Sequence, residues 1–556
     1  MKSKIVGVIA GFGVLIAGAG AAMALSPTSD QRANEPQVQG APSSNTSAVF
    51  PTNKQNEPTI ALNPADTRFL IAGSNDEQRQ PACGPGPVRG ATIPSDCSFF
   101  PNVGTSGIFT SSDGGTTWVN RGLLDDQASW QGFGALSNGD PVIAYGPKPD
   151  AAGRFSWANG ARAYYSSLAF FPGAKGTMSI IVSTSDDNGV TWTAPVLATS
   201  KSSAVDFNDK NWIAVDTTPA SPFFGRTYLS WTEFRSNTAK GNGSEPVMVA
   251  SSADGGASFG APNQLSPAGN NGTGNGRQGS SVTTGPDGSV YVAFEQGFSQ
   301  VVAISRDGGK SYTRPITMGP VTDIHDPIPG ANFRTDSFPT ISADPRVGNT
   351  TVYASWSNRT ASGGRMIVVT STDKGATWGG PAQVSGAEGY AFFQGLDVTE
   401  SGKAVVAYQV LNAVNPATFG TGNARIDTYA VSKPAGGSWT LPVKLNTTSS
   451  DPAVSAQNNL QRQFWGDYNT LVATDAAAWF ISTDSRTGVG CSDVDAYQKY
   501  LIDNGLATHG DMADRLSQHA TGVNPALSDP SVKPAPPAVC PSQFGNTDVY
   551  VAKFVP

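Results

Sequence analysis

The chain has 556 residues, of which 14% are charged, with 63 glycines, 40 prolines and a formal net charge of -7. Charge so far below the roughly 25% of an average soluble protein, with no basic block, argues against nucleic acid as a partner. Abundant Gly and Pro suit many tight turns between short strands.

In chain order, Lys2 and Lys4 precede an apolar stretch from Ile5 to Ala22, and Ala22-Met23-Ala24 reads as a small-x-small cleavage site. Residues 1–24 are therefore expected to be a signal peptide, 25–47 a polar linker and 48–556 the folded domain of a secreted protein, free or held at the cell envelope. An uncleaved anchor is the competing reading of the apolar stretch. No later segment is apolar enough to cross a bilayer, so the mature chain is expected to make no membrane contact; it is also expected to be a monomer. The four cysteines fit an oxidising compartment: Cys83 and Cys97 bracket a Pro/Gly-rich loop, and Cys491 and Cys540 bracket a polar insertion at 491–546. Pairing sequence neighbours would staple both loops, although two other connectivities remain open.

Between these landmarks the chain repeats itself. An octet of Ser, any, Asp, any, Gly, any, Thr or Ser, aromatic runs from Ser111 through Asp113, Gly115 and Thr117 to Trp118. It returns around Asp187, Asp254, Asp307 and Asp373, and a sixth copy at Ser432–Trp439 has Pro434 in place of the Asp. Such an octet reads as a hairpin turn in which Ser and Asp bond the backbone and Gly supplies a positive φ. Each follows a β-branched run, such as Met178-Ser-Ile-Ile-Val-Ser-Thr, that reads as a strand. Upstream lie further strands: Pro58-Thr-Ile-Ala-Leu, Asn211-Trp-Ile-Ala-Val and Pro339-Thr-Ile-Ser-Ala, with looser versions near Gln131, Gln278, Gln394 and Asp467. Four antiparallel strands per unit, repeated radially, predict an all-β protein, a β-propeller of four-stranded blades. Inner strands starting near 57, 131, 210, 278, 338, 394 and 466 give seven blades, with six as the alternative. A strand around Ala48-Val-Phe-Pro is expected to complete the last blade and close the ring.

These octets resemble the Asp boxes (BNR repeats) of the sialidase superfamily, which includes bacterial neuraminidases, and the likeness runs from about Glu57 to Phe554. The resemblance implies a propeller with a site at one end of a central channel and with Asp113, Asp187, Asp254, Asp307 and Asp373 in structural roles at the outer rim. It also implies a carbohydrate substrate or ligand. A sialidase needs arginines to clamp the sugar carboxylate, a Tyr activated by a Glu as nucleophile, and an Asp as acid/base. By position before inner strands, Arg277, Arg334 and Arg462 are the expected substrate-binding clamp. Tyr468 is the expected nucleophile, Glu233 its partner, and Asp209 or Asp336 the acid/base. No aromatic-Arg-Ile-Pro motif precedes the first octet; Arg68 and Arg79 lie in Asp-Thr-Arg-Phe and a polar loop instead.

Two function classes follow: an exo-glycosidase acting on terminal sugars, sialic acid among them, or a non-catalytic propeller binding glycan or protein at the cell surface. Other chemistries find little support. Only three histidines are present, no cysteine spacing suits zinc, and no cofactor is expected. Asp206-Phe-Asn-Asp209 and Asp493-Val-Asp495 are the runs that could hold structural calcium.

Overall fold

The octets fold as their side chains dictate. In all five full copies the Ser hydroxyl accepts the backbone N–H of the Gly at 2.8–2.9 Å, as at Ser111 and Gly115. The Asp carboxylate accepts the backbone N–H of the following Thr or Ser at 2.8–3.0 Å and that residue's hydroxyl at 2.5–2.6 Å. These bonds to the charged form draw Asp307 and Asp373 down to about 2, with Ser311 and Thr377 the leading donors. Each octet Gly has a φ between 81° and 85°, which only Gly adopts at little cost. Each also lies against the preceding unit: Gly115 on Trp479, Gly189 on Ile71, Gly256 on Tyr164, Gly309 on Tyr228 and Gly375 on Tyr291. The degraded copy lacks this contact, since a Cβ at Gly436 would meet nothing within 4 Å.

The computed structural model describes residues 25–36, 55–79, 104–171, 178–199, 206–235, 244–267, 277–455, 457–459, 462–492, 495–496 and 545–556. Their strands form a β-propeller. Gln55–Leu62, Leu70–Asp76, Ser106–Ser111 and Val119–Leu123 make the first blade. Five strands between Leu136 and Leu197 make the second, four between Asp206 and Gln264 the third, and four between Arg277 and Pro320 the fourth. A closing blade joins Thr470–Ala473, Ala478–Asp484 and Asp548–Val555 to Ser26–Arg32 as its outermost strand. Residues 340–444 form one eight-stranded sheet, two antiparallel halves joined at the single parallel pair Gly364 and Tyr390. The five separate blades differ from the expected seven or six because the units beginning near 338 and 394 are fused at that pair. The first strands of successive units pack side by side in a closed circuit, and aromatic and β-branched side chains fill the gaps between sheets. Trp231, Trp356, Tyr164, Phe109 and Phe294 are fully buried there; burial of a Phe-sized side chain contributes roughly 1.5–3 kcal/mol.

Two expectations need correction. The outer strand of the closing blade comes from Ser26–Arg32, inside the stretch expected to be linker; Ala48–Pro51 lies outside the described residues. Asp30 accepts from Arg486 Nη1 at 2.5 Å and from the backbone N–H of Thr447 at 2.8 Å, so this polar strand is tied to two sheets. The second unit's inner strand is Val142–Pro149, not a strand near Gln131, which follows the short 3-10 turn Ala128–Trp130. Residues 1–24 fall outside the described residues, as do Cys83, Cys97, Cys540 and most of 491–546; Cys491 is buried and is not a free thiol.

Candidate functional site

Where the inner strands begin, their backbones bulge. The pairing register skips between Asn56 and Thr59, Asp209 and Trp212, Gln278 and Ser281, and Phe392 and Gly395. Near these points the chain enters the left-handed region, at Glu57 (φ 51°), Lys210 (53°), Gly279 (69°) and Phe393 (46°). Asp140 (50°) and Gly466 (93°) do the same before the second and closing blades. Glycine suits such a position, as at 279 and 466. Glu57, Asp140 and Lys210, in three successive blades, hold the same conformation at a cost of about 1–3 kcal/mol each.

The bulges turn these side chains toward one another. Asp140 is in hydrogen-bond contact with both Asp209 and Glu57, so three carboxyls from three blades form a chain. Asn75 Nδ2 donates to Glu57 Oε2 at 2.9 Å, and its Oδ1 accepts the Asp140 N–H at 2.9 Å. Lys210 N–H donates to Asp140 Oδ2 at 2.9 Å. Burial, then the neighbouring carboxylate, pushes Asp140 and Asp209 well above the usual carboxylate range. Glu57 is pushed up to about 7, by burial first and Asp467 second. Opposite them, Arg334 grips Asp467 with both edges of its fork, Nε to Oδ1 at 2.8 Å and Nη2 to Oδ2 at 2.6 Å. Its Nη2 also lies 3.9 Å from Glu57, and its guanidinium sits 4.8 Å over Phe464. Asp140, Asp209, Arg334 and Asp467 are half-buried, while Glu57 and Lys210 are buried. Carboxyls whose hold on a proton is strengthened by burial and by one another, beside one held in an ion pair, can donate and accept a proton across a bound molecule.

Three of the seven nominated residues, Asp209, Arg334 and Tyr468, belong to this group. The Tyr468 hydroxyl donates to the Pro141 carbonyl at 2.9 Å, and burial pushes its pKa far up. Glu233, the expected partner of Tyr468, is paired with Arg235 at 2.8 Å on the second strand of its blade. Arg277 and Arg334 have different partners: Arg277 lies beside Glu245, and burial lowers its pKa. Arg462 pairs through its backbone with Asn459, and its side chain lies outside the described residues. Asp336 joins Glu295 and Asp323 in another group, in which one carboxylate oxygen from each lies within 4.8 Å of the others. Of the runs considered for calcium, Asp209 belongs to the carboxyl chain and Asp495 accepts from Thr421 at 2.7 Å; Asp493 lies outside the described residues.

Glu57, Asp140, Lys210 and Asp467 were not foreseen. The signal was a charged residue directly before the runs that begin at Pro58 and Asn211, and, two positions before Val142, Asp140, hidden by the misplaced second strand. Two expected results follow. Glu57 has a folded pKa above its unfolded one, so its contribution is most favourable below about 4.5 and is lost as pH rises through about 7. Glu57→Gln should therefore leave stability at pH 4.5 nearly unchanged and raise it at pH 8 by on the order of 2 kcal/mol, read from denaturant midpoints. A Cβ at Gly466 would lie 2.7 Å from Glu57 Cγ and 2.8 Å from its backbone nitrogen, at a φ of 93°. Gly466→Ala should thus displace Glu57 and destabilise by about 1–3 kcal/mol in the same assay.

No protein-family model matches the chain, and no curated protein does. Similar solved structures include an α-L-arabinofuranosidase from Fusarium graminearum, at 12% identity over 83% of this chain and 93% of that one, with a TM-score of 0.40. A sialidase from Streptococcus pneumoniae is 11% identical over 63% of this chain and 66% of its own, with a TM-score of 0.36. An intramolecular trans-sialidase from Ruminococcus gnavus is 12% identical over 65% and 90%, with a TM-score of 0.36. This chain thus spans 66% of the pneumococcal sialidase. Likeness at this level does not decide a reaction, which has to be argued from the groups of the site itself.

Proposed function

We propose that the mature chain is an exported glycoside hydrolase that removes a terminal, uncharged sugar from a glycan at the channel end where the inner strands begin. The observation that carries this reading is the carboxyl chain Asp209–Asp140–Glu57 facing Asp467 in the grip of Arg334. Glycoside hydrolysis needs one carboxyl that keeps its proton for the leaving oxygen and one carboxylate to activate water or attack the sugar. Asp209, half-buried and with its hold on a proton strengthened by burial and by Asp140, takes the first role. Asp467 takes the second, oriented by two charge-assisted hydrogen bonds. Tyr468, bonded to the Pro141 carbonyl and far from ionising, serves as a wall of the site and not as its nucleophile.

An uncharged sugar is the reading favoured by the partners of the two described arginines. Arg334 is engaged by Asp467 and Glu57, and Arg277 has the Glu245 charge beside it, with its backbone N–H bonded to that carboxylate. Export rests on Lys2, Lys4 and the stretch through Ala24.

The test is a panel of fluorogenic glycosides, α-L-arabinofuranoside, β-galactoside, β-glucoside and a sialic acid glycoside, given to the purified mature protein. Turnover of a neutral member, lost in Asp209→Asn, supports the proposal. Cleavage of the sialoside that disappears in Tyr468→Phe would replace it with a sialidase. A folded protein that turns over none but binds a glycan array would make the site a lectin-like one.

A further inference from the structure

Lys210 is an unusual residue to find at a bulge. It is 4% exposed and has a φ of 53°, so the chain accepts both a strained backbone and a buried charge where Gly279 and Gly466 show that glycine serves. Its ammonium lies 4.0 Å from the Tyr468 ring centroid, 4.7 Å from that of Trp212 and 5.8 Å from that of Phe338. Trp212 in turn meets Tyr468 edge-on at 5.7 Å. Three ring faces therefore hold the cation in place by its charge without neutralising it. The charged groups acting on it are Asp140, Asp467, Glu57 and Asp209, and Arg334 stands across the same group on Asp467 and Glu57. Its own backbone N–H is bonded to Asp140, the central member of the chain.

We propose that Lys210 is a positioning residue whose caged ammonium sets how many protons the Glu57–Asp140–Asp209 chain holds, and so the pH range in which the site can both give and take one. A fixed positive charge favours ionised neighbours. With it, one carboxyl of the chain can stay ionised and accept a hydrogen bond from the next, which keeps a proton at Asp209. Without it, the chain takes up a further proton, and its members no longer alternate between donor and acceptor. Burial opposes the charge on Lys210, while the rings and the four carboxyls retain it. The role in turnover rests on the glycosidase reading above; the effect on protonation does not.

Lys210→Met removes the charge and keeps most of the volume, Lys210→Arg keeps the charge, and Lys210→Gln is the substitute if the Met variant does not fold. The primary measurement is a difference-infrared titration of the protonated-carboxyl C=O band from pH 4 to 9, which needs no substrate. In Lys210→Met the band should persist about one pH unit or more higher than in wild type, while Lys210→Arg should follow wild type. On any glycoside the protein cleaves, the pH limb of kcat/KM set by the chain should move upward by the same amount in Lys210→Met. An unchanged infrared titration in a folded Met or Gln variant would overturn the proposal. A shifted titration in a protein that cleaves no glycoside would keep it and count against the hydrolase reading alone.

Discussion

Asp209→Asn is expected to lower kcat/KM by about 10³-fold for a glycoside with an ordinary alcohol leaving group, and far less for a glycosyl fluoride or dinitrophenyl glycoside. The difference between leaving groups is the diagnostic. Asn keeps the shape and the hydrogen bond toward Asp140 but has no acidic proton, and only a poor leaving group needs one. Asp467→Asn should depress both substrate types alike, because the attack on the sugar is needed for each. It also leaves Arg334 without its bidentate partner, so its melting temperature must be compared with wild type before the rates are read. Equal losses on both leaving groups in Asp209→Asn would remove Asp209 from the role of acid and move attention to Glu57.

Arg486→Ala should be the most destabilising single substitution outside the site, at about 3–5 kcal/mol. Its side chain is 9% exposed and bonds Asp30 at 2.5 Å and Asp484 at 2.6 Å, whose carboxylates are themselves 2% and 5% exposed. Its guanidinium is also stacked 3.9 Å from the Tyr550 ring. Removing it leaves two buried carboxylates facing each other across the seam where Ser26–Arg32 meets Asp548–Val555. The strand should then detach before the rest of the ring melts, exposing a free sheet edge. Protease cleavage within 26–36 at temperatures below the main transition would report this. A variant as resistant as wild type would mean that the backbone ladder alone holds the strand.

The turn chemistry of the octets was legible because it is local: Ser, Asp, Gly and Thr sit within one turn, and their bonds need no distant partner. The propeller followed from the repeats by the same logic. The closing strand was not legible, since Ser-Pro-Thr-Ser-Asp-Gln-Arg has no apolar alternation and its partner lies more than 500 residues away, as between Asp30 and Ala552. The site was half legible. Asp209, Arg334 and Tyr468 were visible as strand-start residues, but Glu57, Asp140 and Lys210 are brought together by left-handed bulges that sequence periodicity does not register. Glu233 and Arg277 occupy plausible strand positions, yet nearer charges hold them.

The octet glycines carry one more implication. Because Gly256 rests on Tyr164 of the blade before its own, and Gly309 likewise on Tyr228 of the blade before its own, the unit that repeats in sequence is not the unit that holds together. The natural joint of the molecule lies inside each blade, between the turn that belongs mechanically to its predecessor and the strands that belong to its successor. Excising or transplanting a blade at the boundaries of the repeat would cut its own fastener to its predecessor and its successor's fastener to it. A modular rebuild of this ring should take its pieces from the middle of one sheet to the middle of the next.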